Sequence, residues 1–299
     1  MLPVTVDELE NERRWAVLQA RVQEMNTLRA VEAYRSHGLD PIVIKGTAAA
    51  RYYPSGVTRF SADVDLAFAR DQFARAQEVL KNRMSPAVAV DIHRELRHLD
   101  TLPWEDLLEN SIELQLAGGS IRVLRPEDDL RVLCVHWLTD GGVYKERLRD
   151  IYYAIGRRNP DFDWERFLAV VSPRRQRWIE CVLGLTAKYL DLDLKGTPVE
   201  GAERRLPEWF IRTVENEWSA EIKPQPLEMS IFDRKMLLDQ VKRRMRPNAI
   251  FATVDCEGSF DARTRVFYQI RNGIGRIPSS VRRITSTLKA RRQAAKPAK

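Results

Sequence analysis

The stretch VIKGTAAARYYPSGVTRFSADVDLAF, residues Val43–Phe68, decides the fold because a glycine turn and an Asp-x-Asp pair stand between apolar segments. It completes the short apolar run Pro41–Ile44, which is typical of a buried strand. The Lys-Gly-Thr motif then turns the chain, and Ala48–Tyr53 is predicted to form a short helix. Asp63–Phe68 begins with alternating polar and apolar residues, which predicts a half-buried strand with both aspartates on one face.

The segments around this stretch predict a small mixed sheet with helices beside it. Upstream, Val6–Ser36 has apolar residues near helical spacing, which predicts one long amphipathic helix or two short ones. Downstream we expect a helix over Asp71–Lys81, a strand over Ala87–His93 and a hairpin over Ile112–Leu124 that turns at its Gly-Gly pair. The fold class is therefore predicted to be α/β (α+β), with a mixed-sheet core flanked by helices.

After Pro126 the pattern is nearly all helical. Further helices are predicted at Lys145–Arg157, Trp164–Val171, Arg174–Tyr189, Pro207–Trp218 and Ile231–Arg244. The resulting segments are an N-terminal helical segment (1–37), the sheet core (38–124), a mostly helical C-terminal lobe (125–260) and a basic C-terminal tail (261–299).

The charge of the chain is concentrated in its tail. The 299 residues have a net charge of +7, yet residues 261–299 hold eleven Lys or Arg and a single acid. The first 260 residues therefore hold 38 basic and 41 acidic side chains, a mildly negative body. This distribution argues against a protein that binds nucleic acid with its whole surface, and it predicts a basic arm for nucleic acid or an anionic surface.

Other features indicate a cytoplasmic protein. There is no run of 18 apolar residues, so no transmembrane segment is expected, and the acidic N-terminus does not resemble a secretory signal. Cys134, Cys181 and Cys256 are far apart and odd in number, which is typical of free thiols in a reducing compartment.

Two motifs in the first half of the chain carry possible chemistry. In Lys45-Gly46-Thr47, glycine lets backbone N–H groups approach an anion closely, the following helix start favours phosphate, and the threonine offers a hydroxyl. The alternative is an ordinary strand-to-helix turn. Asp63 and Asp65 point the same way on a strand and repel each other unless a cation such as Mg²⁺ or Mn²⁺ lies between them. The alternative is a solvated strand edge.

A third motif, Val-Asp-Ile-His, lies on the next predicted strand. Asp91 stands between apolar residues, where an unpaired buried carboxylate would be costly, so it either joins a carboxylate cluster or lies at an exposed strand end. His93 shares its face and could orient an acceptor or relay a proton, although a lone histidine is more often a packed residue.

The order of these motifs resembles the nucleotidyltransferase signature of the DNA polymerase β superfamily. The opening stretch, with Asp91-Ile-His93 after it, is most similar to the bacterial family described as uncharacterised nucleotidyltransferases. Leu124-Arg-Pro-Glu-Asp128, Val135-His-Trp137 and Leu148-Arg-Asp150 resemble the helical second half of that family. The likeness runs from Asp40 to Val171, and it departs from the family at Phe68-Ala-Arg70, where a more apolar run is usual.

The resemblance implies transfer of a nucleoside monophosphate from an NTP to an acceptor hydroxyl, with release of pyrophosphate and with two Mg²⁺ or Mn²⁺ ions. It implies that Asp63, Asp65 and Asp91 are catalytic metal ligands. The implied nucleotide- and phosphate-binding residues are Lys45, Gly46, Thr47, Arg59 and Ser61, with His93 on the acceptor side. The acceptor stays open between a small molecule, tRNA and a protein hydroxyl. The alternative function is a non-catalytic nucleotide-binding protein or a basic-tail adaptor with the same fold.

Overall fold

The structure is a computed structural model, and it describes residues 6–83, 88–96, 102–221, 233, 235–236, 238–240 and 247–276. The strands are β1 (Ile42–Ile44), β2 (Val64–Phe68), β3 (Val90–Arg94), β4 (Ile112–Leu116) and β5 (Gly119–Val123). The helices are α1 (Val6–Arg35), α2 (Gly46–Ala50), α3 (Phe73–Arg83), α4 (Trp104–Glu109), α5 (Pro126–Thr139), α6 (Leu148–Gly156), α7 (Trp164–Leu168), α8 (Pro173–Leu190), α9 (Glu208–Ser219) and α10 (Ala249–Asp255). Residues 266–276 are also helical.

The strands form one mixed sheet in the order β3-β2-β1-β5-β4. β1 pairs antiparallel with β2 and parallel with β5, while β2 pairs parallel with β3. β4 and β5 form the predicted hairpin, whose two loop residues are Ala117 and Gly118, one position earlier than expected. The α/β class with a mixed sheet flanked by helices is confirmed.

The core of the sheet packs against the C-terminal half of α1. Ala30, Val31 and Tyr34 are buried there, and the Tyr34 and Phe68 ring centroids lie 4.7 Å apart. Burial raises the pKa of Tyr34 to about 12. Every residue of β2 is buried, so the half-buried strand expected from its alternation is wrong. β2 lies between β3 and β1 in the sheet, and α1 and α2 both contact it, so its side chains are screened from solvent.

Most predicted elements are present with small shifts of their ends. α1 is a single helix rather than two, and α2 begins at Gly46, two residues before its predicted start. The sequence analysis missed α4, α10 and the helical segment 266–276. The helix expected at Ile231–Arg244 lies largely outside the described residues. None of the described helices is long and apolar enough to cross a membrane, and the cysteines at 134, 181 and 256 form no disulfide.

The chain folds into two compact units. The first combines Met1–Val135 with Arg147–Gly201, and the second combines His136–Glu146 with Ala202–Lys299. The sheet and all the predicted site residues belong to the first unit. The helices of residues 147–201 therefore belong to the same compact unit as the sheet. The sequence analysis instead placed a boundary after residue 124, where the pattern changes from mixed to helical.

Candidate active site

The register of β2 and β3 brings two acids together. Asp65 lies directly opposite Asp91 in the parallel pair, and Ala67 lies opposite His93. Residues paired across neighbouring strands point to the same face, and positions two apart on a strand share that face. The strand pairing therefore places Asp65, Asp91 and His93 on one side of the sheet, as a consequence of backbone geometry alone.

These three side chains form a compact group of potential metal ligands. One ligand atom from each lies within 4.8 Å of the others. His93 Nε2 is 3.0 Å from Asp65 Oδ1 and 3.5 Å from Asp91 Oδ2. The Asp65 side chain is only 6% exposed, whereas that of Asp91 is 62% exposed. The group thus has one carboxylate held inside the fold and one open to solvent.

Lys45 supplies a cation on the buried side of this group. Its Nζ lies 2.5 Å from Asp65 Oδ1, and both side chains are buried. Ile44, the last residue of β1, lies opposite Asp65, and Lys45 follows it directly at the turn into α2. Burial raises the pKa of Asp65, but the hydrogen bond from His93 and the charge of Lys45 outweigh it and lower that pKa overall.

The backbone of Lys45 is strained. Its φ of 55° and ψ of −132° are rare for a residue with a Cβ, and such conformations cost about 1–3 kcal/mol and persist where the surroundings impose them. Gly46 follows with a φ of 20°, and a Cβ there would lie 3.3 Å from Ser61 Oγ. The Lys45-Gly46 turn is therefore held in one specific shape beside Asp65.

Asp63 lies just before β2 and is exposed. Its backbone carbonyl accepts hydrogen bonds from Gln23 Nε2 at 2.5 Å and from Ser61 Oγ at 3.1 Å. Among the residues that the structure describes, the close group of ligand atoms comprises Asp65, Asp91 and His93, and Asp63 is outside it. The metal-binding role expected for Asp63 stays a prediction that its side-chain position does not by itself support.

The predicted phosphate-binding residues lie beside this group with existing partners. The Thr47 and Thr27 hydroxyl oxygens are 2.8 Å apart, so α1 contacts the start of α2. Gly46 and Ser61 face each other across the turn. α2 has only five residues, so the helix dipole expected to favour phosphate is small. Any anion at this turn would depend mainly on Lys45 and on backbone N–H groups.

Arg59 is held by an acid that the sequence analysis gave no role. Its Nε and Nη2 each donate to a carboxylate oxygen of Asp150 at 2.8 Å, and the Tyr53 hydroxyl donates to the same carboxylate at 2.7 Å. Burial lowers the pKa of Arg59, but the ion pair outweighs it and raises that pKa overall. The predicted contact between Arg59 and a phosphate therefore competes with a saturated ion pair.

Tyr53 stays a hydrogen-bond donor, because burial and the charge of Asp150 both raise its pKa well above its ordinary value. Two sequence motifs contain residues of the group that Arg59, Tyr53 and Asp150 form: the Tyr-Pro of the opening stretch and the Leu-Arg-Asp of the helical half. Neither motif predicts which basic residue forms an ion pair with Asp150, since Arg59 and Asp150 are 91 positions apart.

The donor set of the acidic group fits a divalent metal ion. Two carboxylates next to each other favour a cation between them, and carboxylate oxygens suit Mg²⁺ and Mn²⁺. The imidazole nitrogen of His93 adds a softer ligand, which suits Mn²⁺ better than Mg²⁺. Lys45 already neutralises part of the negative charge on Asp65. A metal ion bound here would therefore experience less negative charge than two unpaired carboxylates would provide.

One family model matches most of the chain. The model of a family described as uncharacterised nucleotidyltransferase matches residues 1–191, which is well over half of the chain and includes Lys45, Asp65, Asp91, His93 and Asp150. Among solved structures, the chain is similar to the crystal structure of an antigenic nucleotidyltransferase-like protein from Paracoccidioides brasiliensis. That likeness has 17% sequence identity and a TM-score of 0.40, and it covers 57% of this chain and 89% of the other. A comparison with curated proteins finds no match.

Proposed function

The chain belongs to the uncharacterised nucleotidyltransferase family, and on that premise we propose that it transfers a nucleoside monophosphate from an NTP to an acceptor hydroxyl. The observation that carries the proposal is the group of Asp65, Asp91 and His93 with Lys45 beside it. Acids alone would repel a triphosphate, and a lysine alone would bind any anion. Their combination suits a substrate that brings both phosphate and a divalent cation.

Asp65, Asp91 and His93 are the residues that would hold a metal ion, with Asp63 as a further candidate from the family resemblance. Mg²⁺ or Mn²⁺ bound there would neutralise phosphate charge and make the acceptor hydroxyl more acidic. Asp65 suits the permanent part of this site because it is buried and fixed by two partners. Asp91 suits the part that meets substrate because it is open to solvent.

Lys45 has a second task in this proposal. Its ammonium group pairs with Asp65 and lies at the glycine turn where Gly46 allows a close backbone approach. When a triphosphate binds, the same ammonium can bind a phosphate oxygen and stabilise the negative charge that develops on the leaving pyrophosphate. The Lys45 ammonium group would thus move from the Asp65 carboxylate to a phosphate oxygen.

In the reaction, the acceptor oxygen forms a bond to the α-phosphorus while the bond from that phosphorus to the pyrophosphate oxygen breaks. Asp91 is the base that we assign to the acceptor proton, because its carboxylate is exposed to an incoming hydroxyl. His93 lies between the two carboxylates and orients Asp91 in this role. Arg59 stays with Asp150 and supports the wall of the site.

The first experiment is a thermal-shift titration of the full chain with each of the four NTPs, with and without Mg²⁺ or Mn²⁺. A ligand at about 100 times its dissociation constant adds roughly 2.7 kcal/mol to the free energy of unfolding. We expect metal-dependent stabilisation by at least one NTP in the wild type and its loss in Asp91→Asn. The matched control is Asp71→Asn, an exposed acid away from the group, which should behave as the wild type.

The second experiment measures pyrophosphate release from that NTP with three acceptor classes: small hydroxyl compounds, total tRNA and protein. Release that depends on one class and is lost in Asp91→Asn supports the transfer and identifies the acceptor class. Metal-dependent NTP binding without release in any class would replace the proposal with a nucleotide-binding protein. Absence of binding to every NTP would remove the nucleotide site altogether.

A further inference from the structure

The helical segment 266–276 exposes its apolar side chains instead of burying them. Val266 is 56% exposed, Phe267 63%, Ile270 58% and Ile274 65%. Val266, Ile270 and Ile274 follow one another at intervals of four, and Phe267 lies between them on the helix surface, so the four form one continuous face. A helix of a soluble protein normally turns such a face towards the core.

The opposite, polar face anchors this segment to the second compact unit. Asn272 is buried and donates from Nδ2 to Asp255 Oδ2 at 2.9 Å, and Gln269 donates from Nε2 to the Pro247 carbonyl at 2.7 Å. Arg265 is buried just before the segment, with its guanidinium 4.6 Å from the centre of the Trp209 ring. The orientation is therefore set by specific polar contacts, and the outward apolar face is a consequence of them.

The stretch of sequence that contains this face is rich in Lys and Arg. Residues 261–299 contain eleven Lys or Arg and one acid, and Arg271 is exposed on the segment itself. A helix with Phe and Ile on one side, in a basic stretch of chain, has the composition of helices that lie in the plane of a membrane surface. Basic clusters next to such helices are attracted to anionic lipid headgroups.

Three kinds of partner could cover the face, and the observations favour one. Nucleic acid would match the charge, but the three aliphatic side chains offer nothing to phosphates and only Phe267 could stack on a base. A second copy of the chain would match the apolar face, but it would bring two basic tails together. An anionic bilayer satisfies both properties at once, since its headgroups pair with the basic residues and its acyl region receives the apolar ones.

We propose that the helical segment 266–276, which belongs to a strongly basic stretch of sequence, docks the protein on an anionic lipid bilayer. The apolar face of Val266, Phe267, Ile270 and Ile274 enters the boundary between headgroups and acyl chains, and the polar face keeps its contacts with the second unit. Docking of this kind is reversible and depends on both the apolar face and the lipid charge.

The test is co-sedimentation of the full chain with vesicles of phosphatidylcholine alone and with vesicles of equimolar phosphatidylcholine and phosphatidylglycerol. We expect binding to the second kind only, weakened by added salt. The variant Phe267→Ser, Ile270→Ser, Ile274→Ser should lower the partition coefficient at least about tenfold, because it removes most of the apolar area that enters the lipid. The single variant Ile270→Ser should give a smaller loss in the same direction.

The matched control changes an apolar stripe of similar exposure in the other unit. Leu18 and Met25 of α1 are 52% and 47% exposed, and Leu18→Ser with Met25→Ser removes apolar surface without touching the basic stretch. This control should bind vesicles as the wild type does. Thermal melts should match among all variants, since every changed side chain is exposed.

Three results would overturn the proposal. The first is equal sedimentation of the wild type and the triple variant. The second is binding of a single-stranded RNA, measured by fluorescence anisotropy, that the triple variant loses while no vesicle binds the wild type. The third is a dimer in light scattering that the triple variant dissociates, again without vesicle binding, which would assign the face to a second copy.

Discussion

The Lys45–Asp65 pair and the Arg59–Asp150 pair are both buried in the first compact unit, but they differ in geometry. Arg59 uses two nitrogens on two oxygens of Asp150, and Tyr53 donates to the same carboxylate. Lys45 and His93 both approach the single oxygen Oδ1 of Asp65. The forked Arg pair is fixed in direction, whereas an ammonium group is a compact charge that can turn to another anion.

The surroundings of the two pairs differ as well. Asp65 has the exposed carboxylate of Asp91 opposite it on the next strand, while Asp150 lies on α6 among the rings of Tyr53 and Tyr153, whose centroids are 4.6 Å apart. The comparison suggests that one pair belongs to a reaction centre and the other stabilises the fold. Substitutions in each pair test this distinction, because they should affect mainly the reaction rate in one pair and mainly the stability in the other.

The largest expected effect is on turnover in Asp65→Asn and Asp91→Asn. Each variant removes one negative ligand from the acidic group, so the rate of nucleotidyl transfer should fall by at least about 10³-fold. Initial rates of pyrophosphate release measure it. The melting temperature should fall in Asp65→Asn, which leaves Lys45 without its carboxylate, and should hold in Asp91→Asn. Normal rates in either variant would contradict the assignment of the site.

The second effect is on stability in Asp150→Asn. Removing one partner of a buried ion pair leaves Arg59 uncompensated, and the free energy of unfolding should fall by about 3–5 kcal/mol. Urea denaturation measures this loss, with the exposed Asp161→Asn as the matched control. The rate per folded molecule should fall far less than in Asp91→Asn. If the rate falls as much while stability holds, Arg59–Asp150 belongs to the reaction centre.

The third effect is on ligand binding in Lys45→Met, where the affinities for Mn²⁺ and for NTP should change in opposite directions. Removal of the ammonium frees Asp65 for a metal ion, so Mn²⁺ should bind about tenfold more tightly without nucleotide, and NTP should bind about tenfold more weakly, each about 1.4 kcal/mol. The electron paramagnetic resonance signal of free Mn²⁺ measures the first, and thermal shift measures the second. Lys81→Met, an exposed lysine, is the control. Parallel weakening of both ligands would refute the exchange of anions by Lys45.

The smallest effect concerns Asp40, a partly exposed carboxylate that forms ion pairs with two arginines. Asp40 accepts from Arg35 Nε and Arg122 Nε, each at 2.8 Å, and joins the end of α1 to β5. Partial burial raises the pKa of Asp40, but the two arginines outweigh it and lower that pKa overall. Asp40→Asn should reduce the free energy of unfolding at neutral pH by no more than about 1 kcal/mol, because solvent screens such pairs.

The lowered pKa gives this effect a direction with pH. The contribution of Asp40 is complete above its unfolded pKa, about 3.9, and is lost as the pH falls through the lower folded value. The difference between wild type and Asp40→Asn in urea unfolding should therefore shrink in acid. A difference that grows in acid would mean that Asp40 is not held by its arginines in the folded state.

Much of the fold could be predicted from local patterns. Apolar periodicity predicted α1, the strands β1, β2 and β3 and the hairpin, because these patterns report which residues must leave water. The same reasoning assigned a common face to Asp91 and His93, since positions two apart on a strand always share one. It failed for the burial of β2 because alternation does not reveal that a strand has a neighbour on each side and helices above.

The sequence determined the residue types of the candidate site: an Asp-x-Asp pair at one predicted strand, a third acid with a histidine on the next, and a glycine turn with a lysine. The tertiary structure decided their partners. It joined Lys45 to Asp65, Arg59 to Asp150 and His93 to both acids, while it left Asp63 outside the close group. It also decided that segment 266–276 faces outward. The physical reason is common to all of these: spacing along the chain specifies which side chains share a face, but only packing of distant segments specifies what that face meets.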